Sequence, residues 1–425
     1  MTNVNTLLEG HVTLKCECMD RIFLNGYVPQ LQTGEQISAF FHFHRKKPIL
    51  SAALLNQMTN AFVKGVKEFA ESEGIPLIRF EKGQRKEDVA RPYQEKARQA
   101  GRCGVVMIGT AQEKHKAVEI RKGGYNEKGI PQFTFHRNKR SGRSVWVNYY
   151  YFYFWDQDFG PCFIRFCSYM PFSIRVCVNG HEWVKRQLER LEIGYESLDN
   201  GFLKVQDRQR LQKLCDQLDP QTIEMWFRSW LRRLPHPFTA GDREAGYRYQ
   251  LSVLQAEFSL TQVFERPVHG REFFEEVIRE NLDLGRPDQV QLIFGRRVQR
   301  NTPGRFRTRV LTQGVTPSLH ADYKHSRVKQ YFKENRALRT ETTINNTYDF
   351  GVGRRLTQLP YLQKIGRNIN HRVLETERLS QNCVLNVATL HSLILPRQQA
   401  GQRLPALRFG DPRVTAVLAA LCRFN

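Results

Sequence analysis

The feature that most constrains the fold is an aromatic and β-branched run, SVWVNYYYFYFW, at residues 144–155. Residues of these types favour extended strands. The run ends in the turn-like sequence DQDFGP, and CFIRFCSY follows at 162–169. Two such runs on either side of a turn predict an antiparallel β-hairpin.

A longer unit at 144–204 builds on this hairpin. FSIRVCV predicts a third strand, Asn179 can cap the helix HEWVKRQLERL, and IGYESLD leads into a fourth strand. The order β-β-β-α-β recurs in nuclease folds. An RNase H-like core is therefore one interpretation of this middle unit.

The whole chain is expected to be an α+β, multi-domain protein. Its 425 residues allow two to four domains at roughly 150 residues each. Helical spacing in ALLNQMTNAFVKGVKEFAESEG, followed by the short apolar runs IPLIRF and GVVMIG, predicts a small α/β domain at 1–140. The segments after the middle unit are a helical region at 205–282, a basic β-rich region at 283–350, a helical region at 351–395 and a tail at 396–425.

The charge of the chain points to a polyanionic partner. Lys and Arg total 65 against 42 Asp and Glu, a formal charge of +23, so DNA or RNA is the leading expectation. Binding to a membrane surface would require a basic amphipathic helix or a lipidation signal, and the sequence shows neither. The amino-terminal sequence is unlike a secretion signal, and no window approaches 18 apolar residues, so we expect a cytoplasmic protein.

The cysteines are expected to be reduced and mostly buried, since nine of them are scattered without a repeat. Cys16 and Cys18 form the one close pair. On a strand their side chains share one face, and no second pair follows at zinc-finger spacing, which favours a place in the core over a zinc site.

The positive charge is concentrated between residues 286 and 340, where 13 Lys or Arg stand against three acids. The runs QVQLIF, RFRTRVLT, SLHADY, RVKQYF and ALRTETTI predict strands, the last two joined around Glu334, Asn335 and Arg336. In RFRTRV the arginines alternate with apolar residues, which places them on one face. Interleaved Tyr323, Tyr331 and Phe332 could stack on bases while the cations neutralise phosphate, although a solvated strand face would look similar. The predicted contacts are Arg296, Arg297, Arg305, Arg307, Arg309, Lys324, Arg327, Lys329, Tyr331, Lys333 and Arg339.

Metal-dependent strand cleavage is the sharpest chemical hypothesis. An RNase H-like core places one Asp at the end of its first strand and another after its first helix, and Asp156 and Asp199 occupy those places. They would bind Mg or Mn, because two-metal cleavage needs several converging carboxylates. The third carboxylate would come from Asp158, Glu275, Glu276 or Glu280. Asp156, Asp158 and Asp199 are equally ordinary turn residues, so a structural role stays open.

A second hypothesis places a metal on His42 and His44, which would share a face if they lay on a strand. The nucleophile would then be Tyr323 or Tyr331, as in Tyr-dependent nicking enzymes. The segment RVKQYFKENRALRTETTIN loosely resembles the hairpins of rolling-circle replication initiators, which are enzymes of this kind. Three cations follow His44 and weaken this interpretation. Arg339 and Glu341, two residues apart, predict a same-face ion pair, or else a Glu that orients Arg toward phosphate.

Three segments carry a family resemblance: VNGHEWVKRQLERLEIGYESLDNGF, PVHGREFFEEVIRENLDLGRPDQVQL and DYKHSRVKQYFKENRALRTETTIN. The chain resembles, over nearly its whole length and most clearly in these segments, an uncharacterised bacterial protein family that is often present in many copies. The resemblance implies a mobile-element protein, such as a transposase or replication initiator. Family members continue past RFGDPRVTAVLAALCRF into a segment that looks like a winged helix, so the tail is expected to be the remnant of a truncated domain.

Together these observations predict a nucleic-acid-binding protein with metal-dependent DNA strand cleavage as its enzymatic form. The alternative is a non-catalytic DNA- or RNA-binding regulator or packaging factor, in which the same arginines bind phosphate. The sequence leaves the choice of DNA or RNA and the oligomeric state open.

Overall fold

A computed structural model describes residues 2–8, 10–125, 127, 129, 131–137, 142–265, 267–313 and 316–379, with short pieces at 396–399, 402–405, 412–414 and 416–417. The strands are β1 (Thr2–Asn3), β2 (Val12–Tyr27), β3 (Leu77–Arg79), β4 (Gly104–Lys116), β5 (Glu119–Tyr125), β6 (Pro131–His136), β7 (Ser144–Asp156), β8 (Gly160–Cys167), β9 (Ile174–Asn179), β10 (Tyr195–Ser197), β11 (Phe202–Val205), β12 (Gln250–Phe264), β13 (Arg309–Gln313), β14 (Thr316–Tyr323), β15 (Ser326–Lys333), β16 (Ala337–Ile344), β17 (Arg378–Leu379), β18 (Arg397–Gln399) and β19 (Gln402–Leu404). The α-helices are α1 (Val4–Leu8), α2 (Gly34–Ala39), α3 (Ala52–Ser72), α4 (Lys86–Gln99), α5 (Gly180–Arg190), α6 (Arg208–Gln217), α7 (Pro220–Arg233), α8 (Ala240–Glu244), α9 (Pro267–Glu280), α10 (Pro287–Phe294) and α11 (Leu359–Thr376).

An 11-stranded sheet runs through the molecule in the order β13-β14-β15-β16-β12-β2-β9-β8-β7-β4-β3. Its pairings are antiparallel except for β3 with β4. The two long central strands, β2 and β12, come from segments that lie more than 200 residues apart in the chain. Hydrogen bonding of this sheet therefore crosses the expected boundaries near 140, 204 and 282. The α+β class is confirmed.

The aromatic hairpin is confirmed, with β7 and β8 paired from Tyr149–Cys167 to Asp156–Gly160. Strand β9 follows as expected, and the Asn179 side chain caps α5 by accepting from the Glu182 backbone N–H. The fourth strand differs from the expectation of a single β-β-β-α-β sheet. Strand β10 pairs with β11 in a separate two-stranded sheet, while the two neighbours of β7 are β8 and β4.

Three local predictions differ from the structure. The region expected to be mainly helical at 205–282 holds helices α6, α7, α8 and α9, but it also contains the 15-residue strand β12, whose alternating apolar residues have the period of a strand. QVQLIF was expected as a strand but forms helix α10, because Pro287 favours its first turn and Gly295, at φ 59°, ends it in the left-handed region. Arg305 and Arg307 precede β13, which begins at Arg309.

The two faces of the sheet differ. One face carries the main apolar core, into which α3, α7 and α11 pack through contacts such as Phe62 with Phe166 and Trp230 with Phe154. On the other face α4 covers β4 and β7 over a smaller core, and the β10–β11 turn and the start of α5 cover Arg339 of β16. In β8, β9 and β15 every second residue is buried, and those between are partly or well exposed except for buried Cys167 and Lys333 at the strand ends. The sheet is thus covered by helices on one side and largely polar on the other.

The predictions for the cysteine pair, the β15–β16 hairpin and the carboxy-terminal segments have different outcomes. Cys16 and Cys18 are buried on β2, and the thiols of Cys16 and Cys215 lie 3.7 Å apart, which confirms the core interpretation. The hairpin of β15 and β16 turns at Glu334 and Asn335, as predicted. The helical region at 351–395 is present as α11, but its part from 380 to 395 and most of the tail at 396–425 lie outside the described residues.

Candidate nucleic-acid interface

The polar side of the sheet presents a strip of charged side chains that we call the open face. Cross-strand pairing places its members side by side, and their exposure ranges from partial to full. The open face consists of Arg165, Arg175, Arg21, Glu257, Glu341, Lys329, Arg327, Asp322 and Arg309. From β8 to β13 it crosses seven strand spacings, which is roughly 34 Å along the sheet at about 4.8 Å each.

At the β8–β9 end of the open face, two arginines lie in direct opposition. Arg165 of β8 and Arg175 of β9 are cross-strand partners. Like charges placed this way repel each other and destabilise the sheet. Burial and the charge of Arg165 lower the pKa of Arg175, and no carboxylate of the described residues lies within 4 Å of the Arg175 guanidinium. The repulsion is therefore only partly relieved within the protein.

A compact polar network holds Arg165. Its Nη1 donates to Glu113 Oε2 at 2.9 Å, and its guanidinium lies 4.2 Å from the centre of the Tyr149 ring. Lys86 Nζ donates to Glu113 Oε1 at 2.8 Å, and the Tyr151 hydroxyl donates to the same oxygen. Burial opposes ionisation of Glu113, but hydrogen bonds from Lys86 and Tyr151 and the charge of Arg165 lower its pKa overall. The Glu113 carboxylate is thus shared between Lys86 and Arg165.

A groove of about 340 Å³ lies between the start of α4 and this part of the sheet. It is lined by four cations, one acid and two half-buried rings: Arg85, Lys86, Arg165, Arg175, Glu87, Phe23 and Phe163. The two rings stand in one cross-strand row, with Cys177 of β9 between them. Cations beside accessible rings are the combination that binds phosphate and base together.

The structure corrects the prediction that Arg339 contacts nucleic acid. Its side chain is 0 % exposed and donates to Asp20 Oδ2 at 2.7 Å, to Glu341 Oε1 at 2.8 Å and to the Asn200 carbonyl oxygen. The carboxylates raise the pKa of Arg339 although burial opposes its charge. The same-face ion pair with Glu341 is confirmed, and Arg339 belongs to the core.

Several other predicted contacts also have partners inside the protein. Lys333 is buried with its Nζ 3.1 Å from Asp199 Oδ2, and the rings of Tyr323 and Phe332 are buried. Tyr331 is half-buried and donates its hydroxyl to Glu341 at 3.0 Å. Lys333, Tyr323 and Phe332 therefore cannot meet a ligand without rearrangement, and the hydroxyl of Tyr331 is already engaged.

The remaining predicted cations differ in how far groups of the protein already contact them. Arg297, Arg305 and Arg307 are exposed, and no carboxylate of the described residues pairs with them. Arg309 and Arg327 both contact Asp322, at 2.8 Å each. The last three have lighter contacts: Arg296 donates to the Phe350 carbonyl oxygen, Lys324 lies over the Tyr323 ring, and Lys329 lies 3.9 Å from the centre of the Tyr331 ring.

The three predicted catalytic aspartates have separate partners. Asp156 is buried in the β7–β8 turn and accepts from the backbone N–H groups of Asp158 and Phe159 and from Trp230 Nε1 at 2.7 Å. Asp158 pairs with Arg190, and Asp199 with Lys333. Among the suggested third carboxylates, Glu275 pairs with Arg271 and Glu276 with Arg279, while one oxygen of Glu280 is buried and has no hydrogen-bond partner among the described residues. Within the described part of the chain, no group of three or more His, Cys, Asp or Glu is arranged to hold a metal ion.

His42 and His44 lie on a short π-helical turn, Phe40–His44, so the expected strand is wrong and the two rings do not share a strand face. His44 Nε2 is 2.7 Å from Asp242 Oδ1, and His42 Nδ1 is 3.0 Å from the Lys47 carbonyl oxygen. Each ring is thus held by a different partner. Phe40 and Phe41 of this turn are buried in the core.

The arginines on β8, β9 and β2 of the open face were missed by the sequence reasoning. Arg165 and Arg175 interrupt the apolar runs CFIRFC and SIRVCV, and Arg21 interrupts the apolar stretch of β2. A cation at the outward position of an otherwise apolar strand was a usable signal. Their convergence depended on long-range pairing of β2 with β9 and β12, which no local pattern specifies.

Comparison with protein-family models, curated proteins and solved structures found no match to this chain. None of the helices in the described ranges combines the length and the apolar character that crossing a membrane requires.

Proposed function

We propose that this protein binds nucleic acid on the open face, with the groove beside α4 as the strongest contact. The observation that carries the proposal is the opposed pair of Arg165 and Arg175, whose repulsion the single carboxylate of Glu113 relieves only in part. A phosphate between the two guanidinium groups would supply the missing negative charge.

The chemistry of the surrounding residues supports the same ligand. Arg85 and Lys86 add two cations to the groove, and Phe23 and Phe163 add rings on which bases can stack. Further cations on the open face continue toward β13, where exposed Arg305 and Arg307 extend the positive surface. A strip of roughly 34 Å corresponds to about one turn of duplex, or a longer length of unstacked single strand.

Binding without cutting is the form of this function that the contacts favour. Asp156 fixes a turn and a tryptophan ring, Asp158 pairs with Arg190, and Asp199 pairs with Lys333. In an RNase H-like enzyme these carboxylates would have to converge on Mg or Mn. DNA strand cleavage by a mobile-element protein is the other form of the proposal, and incubation of labelled strands with metal ions tests it.

The test is fluorescence anisotropy with labelled single-stranded and duplex DNA and RNA of equal length, using wild type, Arg175→Ala and Arg208→Ala. Arg208 is exposed at the start of α6 and has no ion pair among the described residues, so its replacement makes the same charge change away from the groove. We expect Arg175→Ala to weaken binding by about tenfold, or about 1.4 kcal/mol, and Arg208→Ala to have little effect.

Incubation of the same labelled strands with wild type and Mg, Mn or EDTA tests cleavage. Metal-dependent cutting would replace the non-catalytic form of the proposal with the enzymatic one. Absence of binding to all four nucleic acids, or equal loss in the two variants, would contradict the open face as the binding surface.

A further inference from the structure

A second cavity, of about 700 Å³, lies away from the open-face groove, between the end of α3, the face of α4, the start of β4 and the end of α7. Its volume falls in the range of small-molecule sites. The side chains that decide its chemistry are three cations, Lys96, Arg102 and Arg233, and three rings, Phe69, Tyr93 and Trp230.

The cations of this cavity are not neutralised by the protein. Over the described residues, no carboxylate lies within 4 Å of Lys96, Arg102 or Arg233, whereas neighbouring Arg98 on α4 pairs with Glu95 at 2.5 Å. Glu73 is the one acid that lines the cavity among the described residues. The lining therefore carries a formal excess of two positive charges, which favours an anion.

Phe69, Tyr93 and Trp230 form an aromatic wall of this cavity, and Trp230 is fixed in position. Trp230 Nε1 donates to buried Asp156 Oδ2 at 2.7 Å, and Phe154 packs against the indole with ring centres 4.5 Å apart. Asp156 is in turn held by two backbone N–H groups of the β7–β8 turn. The Arg233 guanidinium lies 5.1 Å from the centre of the indole ring, so cation and ring are presented together.

We propose that this cavity binds a 5′-nucleotide, with the base against the aromatic wall and the phosphate held by Arg102, Arg233 and Lys96. Guanidinium groups bind phosphate through paired N–H donors, and a planar base fits beside fixed rings. A free nucleotide and the 5′-phosphorylated end of a nucleic-acid strand share this chemistry. The site is independent of the open face, and Asp156 acts in it as a positioning residue for Trp230.

Cys103 gives a direct readout, because it lines the cavity and is exposed, while the other described cysteines are buried or half-buried. The measurement is the rate of maleimide labelling of the Cys103 peptide at mildly alkaline pH, followed by mass spectrometry. Saturating AMP is expected to slow labelling by about tenfold, and adenosine or inorganic phosphate at the same concentration to slow it little. Labelling that AMP leaves unchanged, or that phosphate alone slows equally, would overturn the proposal.

Calorimetric titration of AMP into variants tests the cations. The double change Arg102→Ala with Arg233→Ala is expected to raise the AMP dissociation constant at least about tenfold. Lys67→Ala, at an exposed position of α3 outside the cavity lining, should leave it unchanged. An equal loss in both would indicate general charge attraction and refute the site. Competition of AMP by a 5′-phosphorylated but not a 5′-hydroxyl oligonucleotide would identify the strand end as the source, and no competition by either would identify the free nucleotide.

Discussion

Replacing Arg339 by methionine is expected to destabilise the fold strongly, because the change leaves buried carboxylate behind. Asp20 is 2 % exposed and loses its charged partner at 2.7 Å, and Glu341 loses a donor at 2.8 Å. Breaking a buried ion pair from one side typically costs about 3–5 kcal/mol. A matched change, Arg327→Met, removes an ion pair with Asp322 whose arginine is 44 % exposed, and should cost less than about 1 kcal/mol.

Urea unfolding followed by tryptophan fluorescence measures both losses under the same conditions. A double-mutant cycle with Asp20→Asn isolates the pair, since residues in direct contact are expected to be non-additive. The double variant should be less destabilised than the sum of the two single variants. If Arg339→Met loses no more stability than Arg327→Met, the buried network is not arranged as described.

Two further changes test other buried carboxyl groups. Glu377 is fully buried and burial raises its pKa to about 8, so the folded state binds a proton that the unfolded state releases above its ordinary pKa of 4.5. The stability that this proton contributes is lost as pH rises from about 4.5 to about 8, by up to about 1.4 kcal/mol per pH unit. Glu377→Gln should therefore be more stable than wild type at pH 8 and similar at pH 4.5, as urea midpoints would show; a difference independent of pH would contradict this. Asp156→Ala removes the acceptor of three hydrogen bonds and should cost about 2–4 kcal/mol and shift the tryptophan emission, whereas Asp158→Ala should cost less than about 1 kcal/mol. Equal stability of the two variants would remove the turn role of Asp156.

How far the sequence predicted the fold depended on the range of the interaction. The β7–β8 hairpin and the cap at Asn179 follow from neighbouring residues, and both are present. Strand β12 was missed inside a mainly helical segment, although LSVLQAEFSLTQVF alternates. Its partners β2 and β16 lie far away in the chain, so its central place in the sheet could not be derived locally.

The same distinction explains the candidate site. The alternating arginines of RFRTRV predicted one basic sheet face, but Arg305 and Arg307 precede β13. The sequence also did not indicate that the β10–β11 turn covers Arg339 through the Asn200 carbonyl. Charge alone could not separate Arg339, in the core, from Arg175, which is exposed and has no carboxylate within 4 Å in the described chain. That separation depends on what packs above each side chain.

The salt dependence of nucleic-acid affinity reports how many phosphate contacts the open face makes. The measurement is the slope of log affinity against log salt for wild type, for Arg85→Ala with Arg175→Ala, and for the control Arg208→Ala. Loss of two phosphate contacts should reduce the slope by about 1.8 on duplex or about 1.4 on single strand. If nucleic acid binds on the open face, the slope falls by this amount in the double variant Arg85→Ala with Arg175→Ala and stays unchanged in Arg208→Ala. An unchanged slope in the double variant would contradict the open face as the nucleic-acid interface.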